Sequence, residues 1–297
     1  LIVAGRIAIT GAGGMVGREL GHASRERGLA CTAWDRAECD ITDPDAVRRA
    51  LDDAEPDVVI HAAAWTDVDG CEADPVRAFG VNGRGTRSVA EACEDAGVRL
   101  VMISTDYVFS GDQERPYRED DAPGPISVYG WSKLMGEEAV LAMGARGVVA
   151  RTAWVYADHG RNFLRTMLCL ADEREAQAAG GAVPAPLTVV DDQRGSPTFA
   201  ADLAGALLDL AAARDVSGIF HVANAGSTTW CGFAREIFRA AGRDVIVTPT
   251  TTDAFPRPAP RPANSVLEDS RLEDAGVEPL GEWEDGLVRC FERFAGD

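Results

Sequence analysis

RIAITGAGGMVGREL, residues 6–20, runs from a short apolar stretch straight into three glycines, Gly11, Gly14 and Gly17, spaced as GxxGxxG. Glycines so placed allow a tight turn and let backbone N–H groups approach a pyrophosphate at a helix N-terminus, where the helix dipole favours negative charge. Taken alone, the triplet fits a plain strand-to-helix turn equally well. Asp35 changes the weighing: it stands 18 residues beyond Gly17 at the end of the second apolar run, where a carboxylate can bind the adenosine ribose hydroxyls. Arg36 beside it pulls the other way, because a cation suits the 2′-phosphate that a carboxylate repels. The residues therefore leave NAD(H) and NADP(H) both open.

The pattern repeats outward from this loop. Segments 6–10, 29–34, 57–63, 98–105 and 148–156 read as buried strands, with amphipathic helical stretches between them. One of these helices is opened by Asp43 and Pro44 ahead of AVRRALDDA. Strand alternating with helix predicts an α/β fold with a doubly wound parallel sheet, here a dinucleotide-binding domain over residues 1–156. Beyond 156 the pattern loosens into a polar Ala/Gly/Pro-rich stretch, REAQAAGGAVPAP, a strand LTVVDD, a helix from about 199, a strand GIFHVAN and a Pro-rich run FPRPAPRPAN. This predicts a smaller second domain over 157–297, with segments near 187–224 contributing to the first.

The bulk numbers narrow the function. A formal net charge of −19 and no basic run argue against nucleic acid or an anionic membrane as partner. The seven cysteines, Cys31, Cys39, Cys71, Cys93, Cys169, Cys231 and Cys290, are scattered singly with no ligand spacing, which suits a reduced, cytoplasmic protein. No apolar run reaches the ~18 to 20 residues of a membrane span, and no signal-peptide pattern is visible.

Lys133 is the sole lysine among 29 basic side chains. Tyr129 precedes it by four residues, which on a helix puts both side chains on one face. An ammonium beside a phenol favours the phenolate and lowers a pKa that starts near ~10. A compact ammonium can also hold ribose hydroxyls, a task for which a planar guanidinium is poorly shaped. Thr105 ends the fourth predicted strand in ISTDYVFSG, and ligands of open α/β sheets bind outside those carboxyl ends. Its hydroxyl can bind a substrate carbonyl and help the phenol polarise it. Other residues read more plainly: His61 as a satisfied core histidine, FAREIFRAAG as amphipathic packing, and Trp230 as either a substrate platform or core filling.

These motifs resemble the extended short-chain dehydrogenase/reductases and, more finely, the dTDP-4-dehydrorhamnose reductase family. The resemblance runs nearly end to end, through TGAGGMVGREL, AAAWTDVDGCEADP, STDYVFSGD, YGWSKLMGE, RTAWVYADHGRNFLRTML, VVDDQRGSPTFAADLA, FHVANAGSTTWCGFA and RPANSVLE. It implies NAD(P)H-dependent reduction of the 4-keto group of a dTDP-linked deoxysugar, with dTDP-4-dehydro-L-rhamnose the first substrate. It implies catalysis by Thr105, Tyr129 and Lys133. The cofactor is expected at Gly11, Gly14, Met15, Val16, Gly17, Asp35, Arg36, Asp40, Ile41, Ala64, Trp65 and Thr66, and at Tyr129 and Lys133. The sugar nucleotide is expected at Thr105, Asp106, Trp154 and Trp230, in a mainly sugar-nucleotide-binding second domain.

Two departures stand out. The family's VDKAE reads VDGCE here, with Gly70 where lysine is usual. Some bacterial members form a dimer around a carboxylate-held magnesium ion. Glu19 matches one ligand and PTFAADL does not reproduce the others cleanly, so magnesium stays open without a clear ligand set, no metal site is assigned, and a homodimer stays open. Regulatory partners of methionine adenosyltransferase resemble the same family, so a non-catalytic NADP-binding subunit is the rival of another class. A dehydratase would want an acidic pair beside the threonine, and TDYVF offers only Asp106.

Overall fold

The computed structural model describes residues 5–181, 183–213 and 215–294. The outermost residues of both expected domains, and Ala182 of the Ala/Gly/Pro-rich stretch, lie outside the described residues.

Among the described residues there are twelve strands: β1 (Ile7–Thr10), β2 (Cys31–Trp34), β3 (Val58–His61), β4 (Arg99–Thr105), β5 (Gly147–Thr152), β6 (Val155–Tyr156), β7 (Leu187–Val190), β8 (Arg194–Gly195), β9 (Thr198–Phe199), β10 (Gly218–His221), β11 (Thr228–Thr229) and β12 (Val247–Thr250). The helices are α1 (Met15–Glu26), α2 (Pro44–Ala54), α3 (Val68–Ala73), α4 (Pro75–Ala78), α5 (Thr86–Asp95), α6 (Val128–Leu141), α7 (Phe163–Ala179), α8 (Ala200–Ala212), α9 (Trp230–Ala240) and α10 (Trp283–Phe294). A π-helical stretch, Phe79–Gly85, leads into α5.

The main sheet has six parallel strands in the order β10-β5-β4-β3-β1-β2. Its inner strands β1, β3, β4 and β5 are buried on both faces, and the two-residue period of a strand divides their side chains between two layers. Ile7, Ile9, Val58, Ile60, Val101, Val148 and Ala150 pack with α8 residues such as Leu203 and Leu207. Ala8, Val59, Leu100, Met102 and Val149 pack on the other face with Val47, Leu51, Val89 and Val140 of α2, α5 and α6. The chain leaves β1 toward β2, then crosses back to β3 on the opposite side. That reversal opens a crevice beyond the carboxyl ends of β1 and β3, where such sheets bind ligands.

The later segments build a second apolar cluster from α7, α9 and α10, with Leu164, Met167, Phe233, Ile237, Trp283 and Leu287 at its centre. Two sequence expectations change here. The run 148–156 is two strands, because Trp154 takes a left-handed φ of 46° and breaks it. REAQAA is the end of α7, whose Ala-rich turns continue the helix to Ala179. Among the described residues no helix is long and apolar enough to cross a membrane.

The sheet and α6 are locked by one buried ion pair. Arg151 of β5 donates to Glu137 of α6 through Nε (3.0 Å) and Nη2 (2.7 Å), with side chains 1% and 0% exposed. Ser104 of β4 donates to the same carboxylate at 2.5 Å, and the guanidinium lies 4.9 Å from the Phe109 ring centre. Removing one partner of such a pair leaves a buried charge unpaired. Glu137→Leu alone is expected to cost about 3–5 kcal/mol, and Arg151→Met alone a similar amount. The double variant should lose clearly less than the sum of the two, measured by urea titration of the circular dichroism signal.

Candidate functional site

The glycine loop is held by close backbone approach. Gly11 has φ +71°, and a Cβ there would lie 2.6 Å from the Ala63 backbone. One on Gly17 would meet the Gly11 carbonyl oxygen at 2.3 Å. Helix α1 starts at Gly14 with no side-chain cap, so its first-turn N–H groups are not taken up by a capping side chain. A cavity of about 360 Å³ opens against this loop, lined among others by Gly11, Gly14, Asp35, Arg36, Asp40 and Ile41, and by Ala64 and Trp65 from the end of β3. A crevice of this size ending on a helix N-terminus suits a dinucleotide phosphate.

Not every expected cofactor residue lines the cavity. Val16 packs against the core, Met15 takes a contact from the Asn162 amide at 3.6 Å, Thr66 is exposed, and Gly17 serves the close packing of loop on helix. At the lip, Asp35 accepts from the Ala37 N–H (2.7 Å), and Arg36 Nε is paired with Asp40 at 3.2 Å. Hydrogen bonds from the Thr42 hydroxyl and N–H hold the Asp40 carboxyl below the usual range.

Thr105 and Tyr129 meet at the carboxyl end of β4, and Lys133 reaches the same strand two residues earlier, at Ile103. Ser127 caps α6, accepting from the Gly130 N–H, so the helix starts where both Tyr129 and Lys133 face β4. The Thr105 hydroxyl accepts from the Tyr107 N–H (3.2 Å), donates to Asp106 Oδ1 (3.0 Å) and hydrogen-bonds the Tyr129 phenol. Tyr107 meets the Tyr129 ring edge-on at 5.7 Å.

The electrostatics correct one sequence expectation. Lys133 does not lower the Tyr129 phenol: burial pushes the phenol well above its usual value, against the Thr105 hydrogen bond. The Lys133 ammonium is instead directed to the Ile103 carbonyl at 2.7 Å, and burial brings it down to about 8. Asp106 is buried beneath Thr105 and pushed up to about 6, chiefly by burial. His61 is a satisfied core histidine, bonded to Thr10 (2.7 Å) and Thr86 (3.1 Å), and burial brings it down to about 3.

The two tryptophans stack on each other, ring centres 3.5 Å apart and planes within 5°. Trp230 also donates to Gln193 (3.2 Å) and leans on Phe163. Gly195 makes the room, since a Cβ there would lie 2.3 Å from the Trp154 indole. Gly70 has the same logic: its missing Cβ would sit 2.5 Å from the Asp67 carboxylate and 2.9 Å from the Trp65 ring. A lysine in that place would collide with both.

Sequence reasoning missed Asn82, Ser132 and Gln193. Asn82 accepts from the Trp65 N–H (2.8 Å) and donates to the Trp65 carbonyl (3.0 Å) and to Ser132 (3.0 Å), tying the cavity wall to α6. Neither residue type nor spacing marks it; only its place in the π-helical stretch does.

Magnesium does not fit at Glu19. Burial would raise that carboxyl, but hydrogen bonds from Arg293 and His159, each at 2.8 Å, hold it low. Asp158 and His159 are the nearest further donors. A hard cation wants a shell of oxygens, and a guanidinium and an imidazole already stand there.

Known proteins are similar to this chain in sequence and fold. The family model described as RmlD substrate binding domain matches residues 5–295. A dTDP-4-dehydrorhamnose reductase of Streptomyces griseus is 46% identical over 98% of this chain and 94% of its own length. A probable dTDP-4,6-dihydroxy-2-methyloxan-3-one 4-ketoreductase of Streptomyces antibioticus is 44% identical over 96% of this chain and 94% of its own. The crystal structure of dTDP-4-dehydrorhamnose reductase from Bacillus anthracis in complex with NADP superposes with a TM-score of 0.90, at 36% identity over 98% of this chain and 100% of that one. Matched along nearly its whole length, the chain belongs to the dTDP-4-dehydrorhamnose reductase family.

Proposed function

We propose that this chain reduces the 4-keto group of a dTDP-linked deoxysugar with NADPH or NADH, and that dTDP-4-dehydro-L-rhamnose is its substrate. The observation that carries the reading is Thr105 and Tyr129 together at the carboxyl end of β4, with Lys133 one turn on along α6 and bonded to the same strand at Ile103. The bound nicotinamide supplies the hydride that adds to the keto carbon. Thr105 donates to the carbonyl oxygen and holds it as negative charge develops. Tyr129, kept protonated by burial, gives its proton to that oxygen, so the ketone becomes a secondary alcohol. Lys133 brings a positive charge to the cofactor's ribose.

The stacked Trp154 and Trp230 form an apolar wall suited to a deoxysugar, with Asp106 behind Thr105. The Streptomyces antibioticus relative gives a second reading weight: a sibling 4-keto-deoxysugar of antibiotic or surface-glycan synthesis. A panel of dTDP-4-keto sugars incubated with NADPH and NADH, followed by absorbance loss and product identification, separates the two. No turnover with any of them, together with a stoichiometric protein partner, would favour the binding-subunit reading. All seven cysteines are free thiols, which suits the cytoplasm.

Three outcomes are expected. Tyr129→Phe should lower kcat by ~10²- to 10⁴-fold with NADPH affinity nearly unchanged; more than half the parent turnover would refute the proton-donor role. Because the Lys133 ammonium loses its proton as pH rises through about 8, NADPH affinity of the free enzyme should hold below that pH and weaken above it. Lys133→Met should be weak throughout and lose this inflection. Asp35→Ala should weaken NADH more than NADPH, and Arg36→Ala the reverse; equal effects on both cofactors would show that neither side chain reads the 2′ position.

A further inference from the structure

Two cations line the glycine-loop cavity, Arg36 and Arg77. Arg36 is already paired with Asp40. Arg77 differs. Its main-chain N–H donates to the Asp74 carboxylate that caps α4 (3.0 Å), and its guanidinium lies 4.2 Å from the Trp65 ring centre. No described residue takes a hydrogen bond or ion pair from that guanidinium, so its N–H fork is uncommitted among the described residues.

The platform beneath it is rigid. Trp65 is gripped at its N–H and carbonyl by the buried Asn82, and its ring fills the space that Gly70 leaves. An arginine on an aromatic face keeps its charge while its donors stay available at the edge. The cavity also needs a cation. The protein carries a net charge of −19, the loop itself offers only neutral N–H groups, and Arg18, at the start of α1, turns its Nε back to the Gly13 carbonyl at 3.2 Å.

We propose that Arg77, seated on Trp65, is the cation that binds the pyrophosphate of the dinucleotide, completing from the α4 side a cradle whose other side is the glycine loop. Arg36, beside Asp35, is left to the adenosine 2′ position. The assignment rests on the reading of this cavity as the dinucleotide site, and it differs from that reading in what it predicts. A pyrophosphate is common to NADH and NADPH, so Arg77 must serve both alike.

The test is calorimetric titration of the full chain and of Arg77→Gln with NADPH and with NADH, alongside Arg77→Lys and Trp65→Leu. Loss of a charge-assisted bond should raise Kd for Arg77→Gln by about tenfold to a hundredfold, equally for the two cofactors, with a flatter dependence on salt. Arg77→Lys should recover part of the loss, and Trp65→Leu should weaken both cofactors while leaving Arg77 in place. An unchanged Kd for both cofactors in Arg77→Gln overturns the proposal. A loss confined to NADPH also overturns it, moving Arg77 to the 2′-phosphate. Failure of the parent chain to bind either cofactor would instead sink the dinucleotide reading, and this assignment with it.

Discussion

The carboxylate of Glu137 is the point on which the catalytic side of this molecule turns. It is fully buried, it takes Nε and Nη2 of the Arg151 guanidinium from β5, and it takes the Ser104 hydroxyl from β4. Two adjacent strands and the helix that crosses them are thereby held to one carboxyl group. Thr105 is the next residue along β4, and Lys133 lies one turn before Glu137 on α6. The relation between hydroxyl, phenol and ammonium is thus set from behind, by a pair buried away from solvent. In a low-dielectric interior such a pair is strong only with its hydrogen bonds complete, which gives the site little freedom to loosen.

Desolvation is the common cause of the electrostatics in front of that pair. It brings the Lys133 ammonium down to about 8, pushes the Asp106 carboxyl up to about 6 and keeps the Tyr129 phenol protonated. A phenol that holds its proton is a poor base and a sound acid, which suits reduction of a ketone to an alcohol. The same burial makes His61 a neutral core residue, so the nearest imidazole is no rival proton donor.

At the other end of the crevice, charge is arranged by pairing. Arg36 answers Asp40, and Arg293 answers Glu19, which also accepts from His159. The second pairing joins α1, which follows the glycine loop, to α10 of the later lobe.

Much of the fold was legible in the chain because its signals are local. The alternation of apolar runs and amphipathic stretches predicts the parallel sheet, the glycine triplet predicts its first turn, and the Tyr129–Lys133 interval predicts one helical face. What the sequence by itself determined was therefore the class of fold, the order of the motifs and the chemical types available. The tertiary structure decided which of those groups act on each other. Trp154 meets Trp230, Trp65 meets Arg77 and Glu19 meets Arg293 across chain separations or backbone turns that no period records. It also decided the direction in which Tyr129 titrates, because a neighbour's charge can be read from spacing, whereas the removal of water depends on everything packed around the group.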